Sequence, residues 1–514
     1  MSQLKKLAGQ TAIYGISSIL GKTINFLLIP VYTQYLPIEE VGAFTVIYAF
    51  IAFFNVIFTF GMETAFFRFS TGKGLDPQKV YGNVQSLIIT TSLSLGALIF
   101  FCSDQLSHLL GYADKPHLFQ WVALILTIDA VMAIPFAKLR VENQALTFSL
   151  TKLLNIGLNV GFNIFFIIIC HHVYQGDFLT FLQPCIGSFY NPSWGVDYIL
   201  LSNLMANALI LPFMLYLTGK FTFQLEKSYL VPMWHYAVPL LFMGLAGVTN
   251  EVFSRGLFEY ALPENFYQGL SKREAGGVFG ANFKLAILMN LIIQAFKYAA
   301  EPFFFQQAGN KNNPEIFAKV MHWFIIMCSF LMVAVIVNLD LIGPLFLRGG
   351  GYEKGLSIVP VLLLGYLFLG IYYNLSIWFK ITDKTKYSLY ITLVGAVVTL
   401  IVIFGLIPVY GFMGGALSTL LSYLTMAIIC YIIGQKYYPI PYQTKKGVFY
   451  LLTAFGLGYL GFYVDLEPTF FRFLIQNTFV LAYALIIVLM EKKELYLIFN
   501  SLQSRKSHAN KSNQ

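Results

Sequence analysis

Runs of about 20 mostly apolar residues, the length a helix needs to cross a bilayer, follow one another along the whole of this 514-residue chain. Fourteen can be marked, over 8–33, 41–67, 82–102, 117–137, 148–170, 197–218, 232–258, 277–305, 319–342, 356–380, 386–407, 411–434, 446–463 and 469–490. A backbone in hydrocarbon must satisfy its own hydrogen bonds, so runs of this length predict helices. Charged residues make up 11% of the chain, against about 25% in soluble domains, too few to clothe a water-facing surface. The expected fold is all-α: a multi-pass membrane protein of about 14 transmembrane helices. The first run is too long for a cleavable signal and lacks a small-residue cleavage pattern, so it is expected to be the first span. The longest outer loop, 171–197, is rich in Gly, Pro and aromatics and holds no Lys or Arg; it reads as a lid over the outer mouth. The tail after Glu491 opens with a short amphipathic stretch at 495–499 and then turns polar.

The formal charge of +9 is a topology signal. With the N-terminus inside, Lys and Arg fall on the cytoplasmic side over the outer side by roughly four to one, as the positive-inside rule requires. Both termini are then cytoplasmic, and no nucleic-acid partner is expected. The five cysteines are scattered without metal-ligand spacing, so neither a metal, a structural disulfide nor any cofactor is expected. His171-His172 lacks a third ligand at useful spacing. No phosphate-binding loop, dinucleotide fingerprint or nucleophile elbow occurs. The chain is not expected to be an enzyme, nor to drive transport by ATP on its own.

Ionisable groups inside spans carry the chemistry, because burying one in a bilayer costs about 2.5–3.5 kcal/mol on insertion scales. They are Lys22, Glu63, Asp129, Glu251, Arg255 and Lys284, with Arg68, Lys152 and Lys297 nearer the cytoplasmic ends. One reading makes them structural pairs and snorkelling anchors; Glu251 and Arg255, four apart on one helical face, are placed to pair. The other turns several cations inward, forming a positive chamber for a phosphate-bearing substrate. The three carboxylates then balance the cations or bind a coupling ion, Glu63 and Asp129 being the best placed. Pro30, Pro135, Pro239, Pro302 and Pro360 interrupt spans or sit near their ends, where prolines supply hinges. A short echo links the halves: Tyr35-Leu36-Pro37 before Gly42-Ala43-Phe44, and Tyr260-Ala261-Leu262-Pro263 before Gly277-Val278-Phe279. Repeats of this kind place a transporter's substrate site between two halves.

Several phrases together resemble one family. Pro30-Val31-Tyr32-Thr33-Gln34-Tyr35-Leu36 leading to Glu40-Val41-Gly42 resembles the first-span signature of bacterial polysaccharide flippases, the Wzx-type exporters of the multidrug/oligosaccharidyl-lipid/polysaccharide (MATE-like) superfamily. Gly61-Met62-Glu63-Thr64-Ala65-Phe66-Phe67-Arg68-Phe69 is similar to the end of their second span. Glu274-Ala275-Gly276-Gly277-Val278-Phe279-Gly280-Ala281-Asn282-Phe283-Lys284-Leu285-Ala286 resembles the opening of their eighth, and Phe296-Lys297-Tyr298-Ala299-Ala300-Glu301-Pro302-Phe303-Phe304-Phe305 its end. The stretch from Val359 through Pro441, with Tyr372-Tyr373-Asn374-Leu375-Ser376-Ile377-Trp378 and Thr382-Asp383-Lys384-Thr385, is again similar. The chain departs from the pattern at Gln34, where Arg or Lys is common, at Pro37, and at Ser254-Arg255, where an Asp-Arg pair is frequent.

The resemblance implies two six-helix lobes, 1–220 and 221–442, around a central cationic cavity working by alternating access. Two further helices within 443–490 and a cytoplasmic tail, 491–514, follow. It implies an undecaprenyl-pyrophosphate-linked oligosaccharide as substrate, moved across the bacterial inner membrane for cell-surface polysaccharide or lipopolysaccharide synthesis. Membrane lipid, and a glycan polymerase and glycosyltransferases of the same pathway, are the expected partners. In that setting Lys22, Arg255 and Lys284 are expected to bind the head group, Arg68 and Lys297 to guard the cytoplasmic entrance, and Glu63, Asp129 and Glu251 to couple ions or balance charge. The alternatives are a cation-coupled multidrug exporter of the same superfamily, which predicts a carboxylate-dominated cavity, and a membrane glycan polymerase or acyltransferase using His171, His172, Asp177 and Asp197.

Overall fold

The computed structural model describes residues 19–24, 26–71, 75–219, 221–307, 313–382, 384–466, 469–494 and 496. The opening of the first expected span, 8–18, and most of the amphipathic stretch at 495–499 lie outside them. The described chain is helical, without strands. Its longer helices are α1 (Ile29–Tyr35), α2 (Ile38–Thr59), α3 (Met62–Thr71), α4 (Pro77–Phe101), α5 (Pro116–Val141), α6 (Ala145–Ile164), α7 (Val196–Thr218) and α8 (Lys227–Gly256). There follow α9 (Lys272–Gln307), α10 (Asn313–Val337), α11 (Val359–Leu375), α12 (Lys386–Tyr410), α13 (Phe412–Tyr437), α14 (Thr444–Phe462) and α15 (Thr469–Met490). Among the described residues, 12 stretches are long and apolar enough to cross a membrane. They coincide with the expected runs after the first, except that the 446–463 run forms α14 without reaching the same apolarity. About 14 spans is therefore the right scale for this fold.

Local chemistry sets the helix ends. Pro77 and Pro116 open α4 and α5, where a missing N–H is harmless, and the Asp76 carboxylate caps α4 by accepting the Gln78 N–H at 2.9 Å. Pro30 and Pro360 likewise sit at helix starts, whereas Pro135 and Pro239 lie inside α5 and α8. The break near Pro408 falls three residues later, at Gly411. Between α2 and α3, Phe60 (φ 31°) and Gly61 (φ 75°) are both left-handed. That conformation is rare for a bulky residue, and Phe60 holds it while buried edge-on against the Trp234 ring. Large apolar side chains remain exposed along the helices, such as Leu98, Phe101, Ile401 and Leu452. In water such a surface aggregates; in hydrocarbon it is the expected outer face.

The chain divides into two compact units, residues 1–309 with 345–438, and residues 310–344 with 439–514. The first holds the α1–α9 and α11–α13 helices. An extended apolar core in it runs through Phe58, Phe66, Tyr81, Val84, Ile88, Ile125 and Leu126. Three helix starts are tied there by charge: Lys115 Nζ reaches Glu40 at 2.8 Å and Asp197 at 3.1 Å, and His117 shares the buried Asp197 carboxylate. Glu40 also accepts the Val196 N–H at 2.8 Å.

The second unit packs α10, α14 and α15 together. At one end the buried Glu491 carboxylate meets His322 at 3.0 Å, Lys446 at 3.2 Å and the Tyr450 hydroxyl at 2.8 Å. At the other, Arg472 bridges Asp340 and Asp465, and Asn338 and Asn477 exchange amide hydrogen bonds.

Candidate functional site

The halves of the chain meet along a seam between α2 and α9. A Cβ on Gly42 would lie 2.2 Å from the Arg273 carbonyl oxygen, and one on Gly277 2.2 Å from that of Ile38. The contact is reciprocal, each glycine seated on the residue four before the other. One turn on, Thr45 packs against Gly280. The glycines of the sequence echo are thus each other's partners.

Polar contacts lock this end. Arg273 pairs with Glu39 at 3.1 Å, stacks over the Tyr112 ring at 4.1 Å and donates to the Gly111 carbonyl. The Tyr260 hydroxyl donates to the Leu110 carbonyl at 3.1 Å, and the Tyr112 hydroxyl to Glu259 at 3.4 Å. Glu259 lies beyond the end of α8. Burial pushes its carboxyl above the ordinary range, with Arg273 and the Tyr260 and Tyr112 hydroxyls pulling it part of the way back. The closed seam therefore holds a proton on Glu259 more tightly than an opened one does. By linkage, closure strengthens as pH falls toward the ordinary glutamate range and weakens as pH rises through the raised value. Spin labels at the exposed Leu109 and Glu264 should show the closed distance gaining population on acidification. Glu259→Gln should abolish that dependence; an unchanged pH response in the variant would remove Glu259 from the seam's titration.

Beside the seam, deeper along α9, stand two cations. Arg255 near the end of α8 donates from Nη2 to the Glu251 backbone carbonyl at 3.2 Å, and its guanidinium lies over the Phe283 ring at 4.6 Å. Its buried Nε has no hydrogen-bond partner. Lys284 on α9 places its ammonium over the Phe44 ring of α2, 4.6 Å away, within electrostatic reach of Arg255. Among the described residues no carboxylate forms an ion pair with either. Glu251 and Arg255 meet through a backbone oxygen rather than as side-chain partners. Two like charges held together in a membrane-embedded position, stabilised by ring faces rather than by an anion, make a site that favours an incoming anion.

A cavity of about 210 Å³ opens beside the pair, lined by Asn250, Glu251, Asn290, Gln294, Tyr373 and Tyr423 among others. Lys297 stands over the Tyr373 ring at 4.4 Å and borders a smaller cavity with Asn374 and Lys380.

The remaining expected site residues are dispersed. Lys22 is exposed in the helical stretch 19–24, ahead of α1. Four and eleven residues on, Phe26 and Thr33 contact Phe346, and Thr33 also accepts the Arg348 N–H. Arg68 is exposed, with its guanidinium over the Tyr236 ring at 4.4 Å. Glu63 is paired with Arg140. Asp129 accepts Asn207 at 2.8 Å in an amide chain running to Asn203, Tyr48 and Asn155, with Lys152 in electrostatic reach. His172 bonds Tyr35 and Asp177, while Asp197 is buried in the Lys115 network, so the four residues of the acyltransferase alternative do not converge. Sequence reasoning passed over Arg140, Arg273 and the amides Asn203, Asn207, Asn290 and Gln294. Uncharged amides inside apolar runs were the signal available.

Comparison with known proteins agrees with this architecture. Residues 7–140 match the family described as polysaccharide biosynthesis protein, and residues 269–404 match the MatE family. No curated protein sequence matches the chain. Among solved structures, the lipid II flippase MurJ in an inward closed conformation superposes with a TM-score of 0.71 at 15% identity, covering 94% of this chain and all of that one. An inward-facing multidrug resistance MATE family transporter of the MOP superfamily gives 0.60 at 15% identity, over 81% of this chain and 94% of that one. A MOP superfamily transporter from Pyrococcus furiosus, described as having a binding pocket of reverse polarity, gives 0.55 at 15% identity, over 84% and 95%.

Proposed function

On a chain that carries the fold of the MOP superfamily's flippases and MATE transporters, we propose a flippase that moves a polyprenyl-pyrophosphate-linked oligosaccharide from the cytoplasmic to the outer leaflet of a bacterial inner membrane. The observation that carries this reading is the Arg255–Lys284 pair, two cations in the membrane-embedded part of the protein without a carboxylate partner among the described residues. Carrying a diphosphate through about 30 Å of hydrocarbon is prohibitive unless protein donors replace its water. Arg255 offers an orphaned Nε–H and Lys284 a point charge, and the two suit the oxygens of one diphosphate. Lys22 would approach as a third ligand, and Arg68 and Lys297 would lie toward the entrance.

In this scheme 1–220 and 221–442 act as lobes that rock about the site. The seam at Gly42 and Gly277 is the outer gate, on the side with few Lys and Arg. Glu63 is occupied by Arg140, which leaves Asp129 and Glu251 as the carboxylates open to coupling. The match of 269–404 to the MatE family supports a cation-coupled drug exporter as the second reading, but a drug cation would be repelled by this pair.

Depletion decides between the two. Loss of a flippase makes its glycolipid pile up on the cytoplasmic leaflet, where impermeant glycosidases cannot reach it. Normal leaflet distribution together with new drug sensitivity would discard the flippase reading.

A further inference from the structure

The cavity beside the cation pair has chemistry that the diphosphate does not use. Its free polar groups are neutral amides and one carboxylate. Asn290 and Gln294 share only a long 3.5 Å contact, leaving most of their hydrogen-bonding capacity unspent. The Glu251 side chain is exposed and has no hydrogen bond or ion pair among the described residues. Asn250, by contrast, is consumed by Thr392, Thr399 and Ser422 and forms fixed wall. Tyr373 and Tyr423 supply ring surface.

Amides, a carboxylate and tyrosine rings at close quarters are the groups that hydrogen-bond neighbouring hydroxyls and cover the C–H face of a polyol. Position agrees. At 1.5 Å rise per residue, Asn290 and Gln294 lie about 9 and 15 Å along α9 from Lys284, the distance from a diphosphate to the first sugars attached to it. Size agrees as well: about 210 Å³ falls below the roughly 300–1,000 Å³ of drug-sized sites and admits a sugar unit rather than a chain.

We propose that this cavity is a sugar-recognition subsite, in which Glu251, Asn290 and Gln294 read the hydroxyl and amide pattern of the first sugars linked to the diphosphate. The proposal rests on the flippase reading above. A carboxylate among aromatic rings also suits an organic cation, but Glu251 shares its turn with Arg255, and both charges act on the same Tyr366 and Tyr423 hydroxyls. A bound cation would therefore meet the like charge of Arg255 one turn from Glu251, whereas a neutral group tethered to an anion would not.

The test uses the full-length protein in detergent and three probes measured by native mass spectrometry: undecaprenyl pyrophosphate, the polyprenyl-pyrophosphoryl-glycan fraction of the host's own membranes, and tetraphenylphosphonium. The wild type should bind the glycan-bearing fraction about tenfold tighter than the bare lipid, worth about 1.4 kcal/mol. In Asn290→Leu and Gln294→Leu that ratio should collapse toward unity. A ratio is insensitive to the fraction of protein folded. A wild-type ratio near unity, or a ratio that survives both substitutions, overturns the subsite and leaves the flippase reading standing. Failure to bind either lipid sinks the flippase reading itself. Tetraphenylphosphonium binding that is lost in the two variants assigns the cavity to cations and overturns the proposal.

Discussion

Arg255→Ala and Lys284→Ala should each lower flipping by about 10- to 150-fold, the worth of a hydrogen bond to a charged group. The same substitutions should leave the empty protein as stable as before or more so. Like charges without an anion between them repel, and removing one relieves the repulsion; Lys284→Met, which keeps the length and apolar stem, should show the clearest rise in melting temperature. Activity falling while stability rises is the signature of a site kept for binding. If instead both fall together, the pair is structural and the diphosphate account fails. The double variant should lose less than the product of the single losses, because the two charges lie within electrostatic reach of one another and, on this reading, act on one ligand.

Gly42→Val should abolish the closed seam. Its Cβ would press to 2.2 Å from the Arg273 carbonyl oxygen, a backbone atom with no rotamer to yield, so α2 and α9 must part. Gly277→Val should do the same through Ile38. Transport should cease in both, since a gate that cannot shut cannot alternate. Misfolding would also stop transport, so the decisive readout is local: spin labels at Leu109 and Glu264 should move apart while the thermal transition persists. Transport at the wild-type rate in a well-folded Gly42→Val would show that the seam need not close.

These expectations differ in how far the sequence alone supports them. Helices were legible because hydrocarbon imposes length and apolarity on each of them, and the resemblance to this superfamily held through fold and both family matches. The Gly42 and Gly277 echo was legible as a motif, but its meaning, glycine seated on glycine, needed the two helices side by side. The charges were harder. Insertion cost marks Arg255, Glu63 and Asp129 alike, and only coordinates separate a cation left with Phe283 from a carboxylate spent on Arg140. The expected Glu251–Arg255 pair failed for a geometric reason: four residues put both on one face, yet the guanidinium turned to the backbone oxygen and a ring. Amides were passed over because they carry no charge for hydropathy to flag.

The seam is symmetric and the chemistry is not. Seven residues beyond Gly277 stands Lys284; seven beyond Gly42 stands Ala49, buried against Gly256. One side of the seam thus offers a cation to a cargo and the other a packed wall. A cargo gripped from one side travels with that side. Letting go on the far leaflet then calls for a weakened grip on the carrier, by water or a competing ion reaching the cations, rather than for two jaws drawing apart.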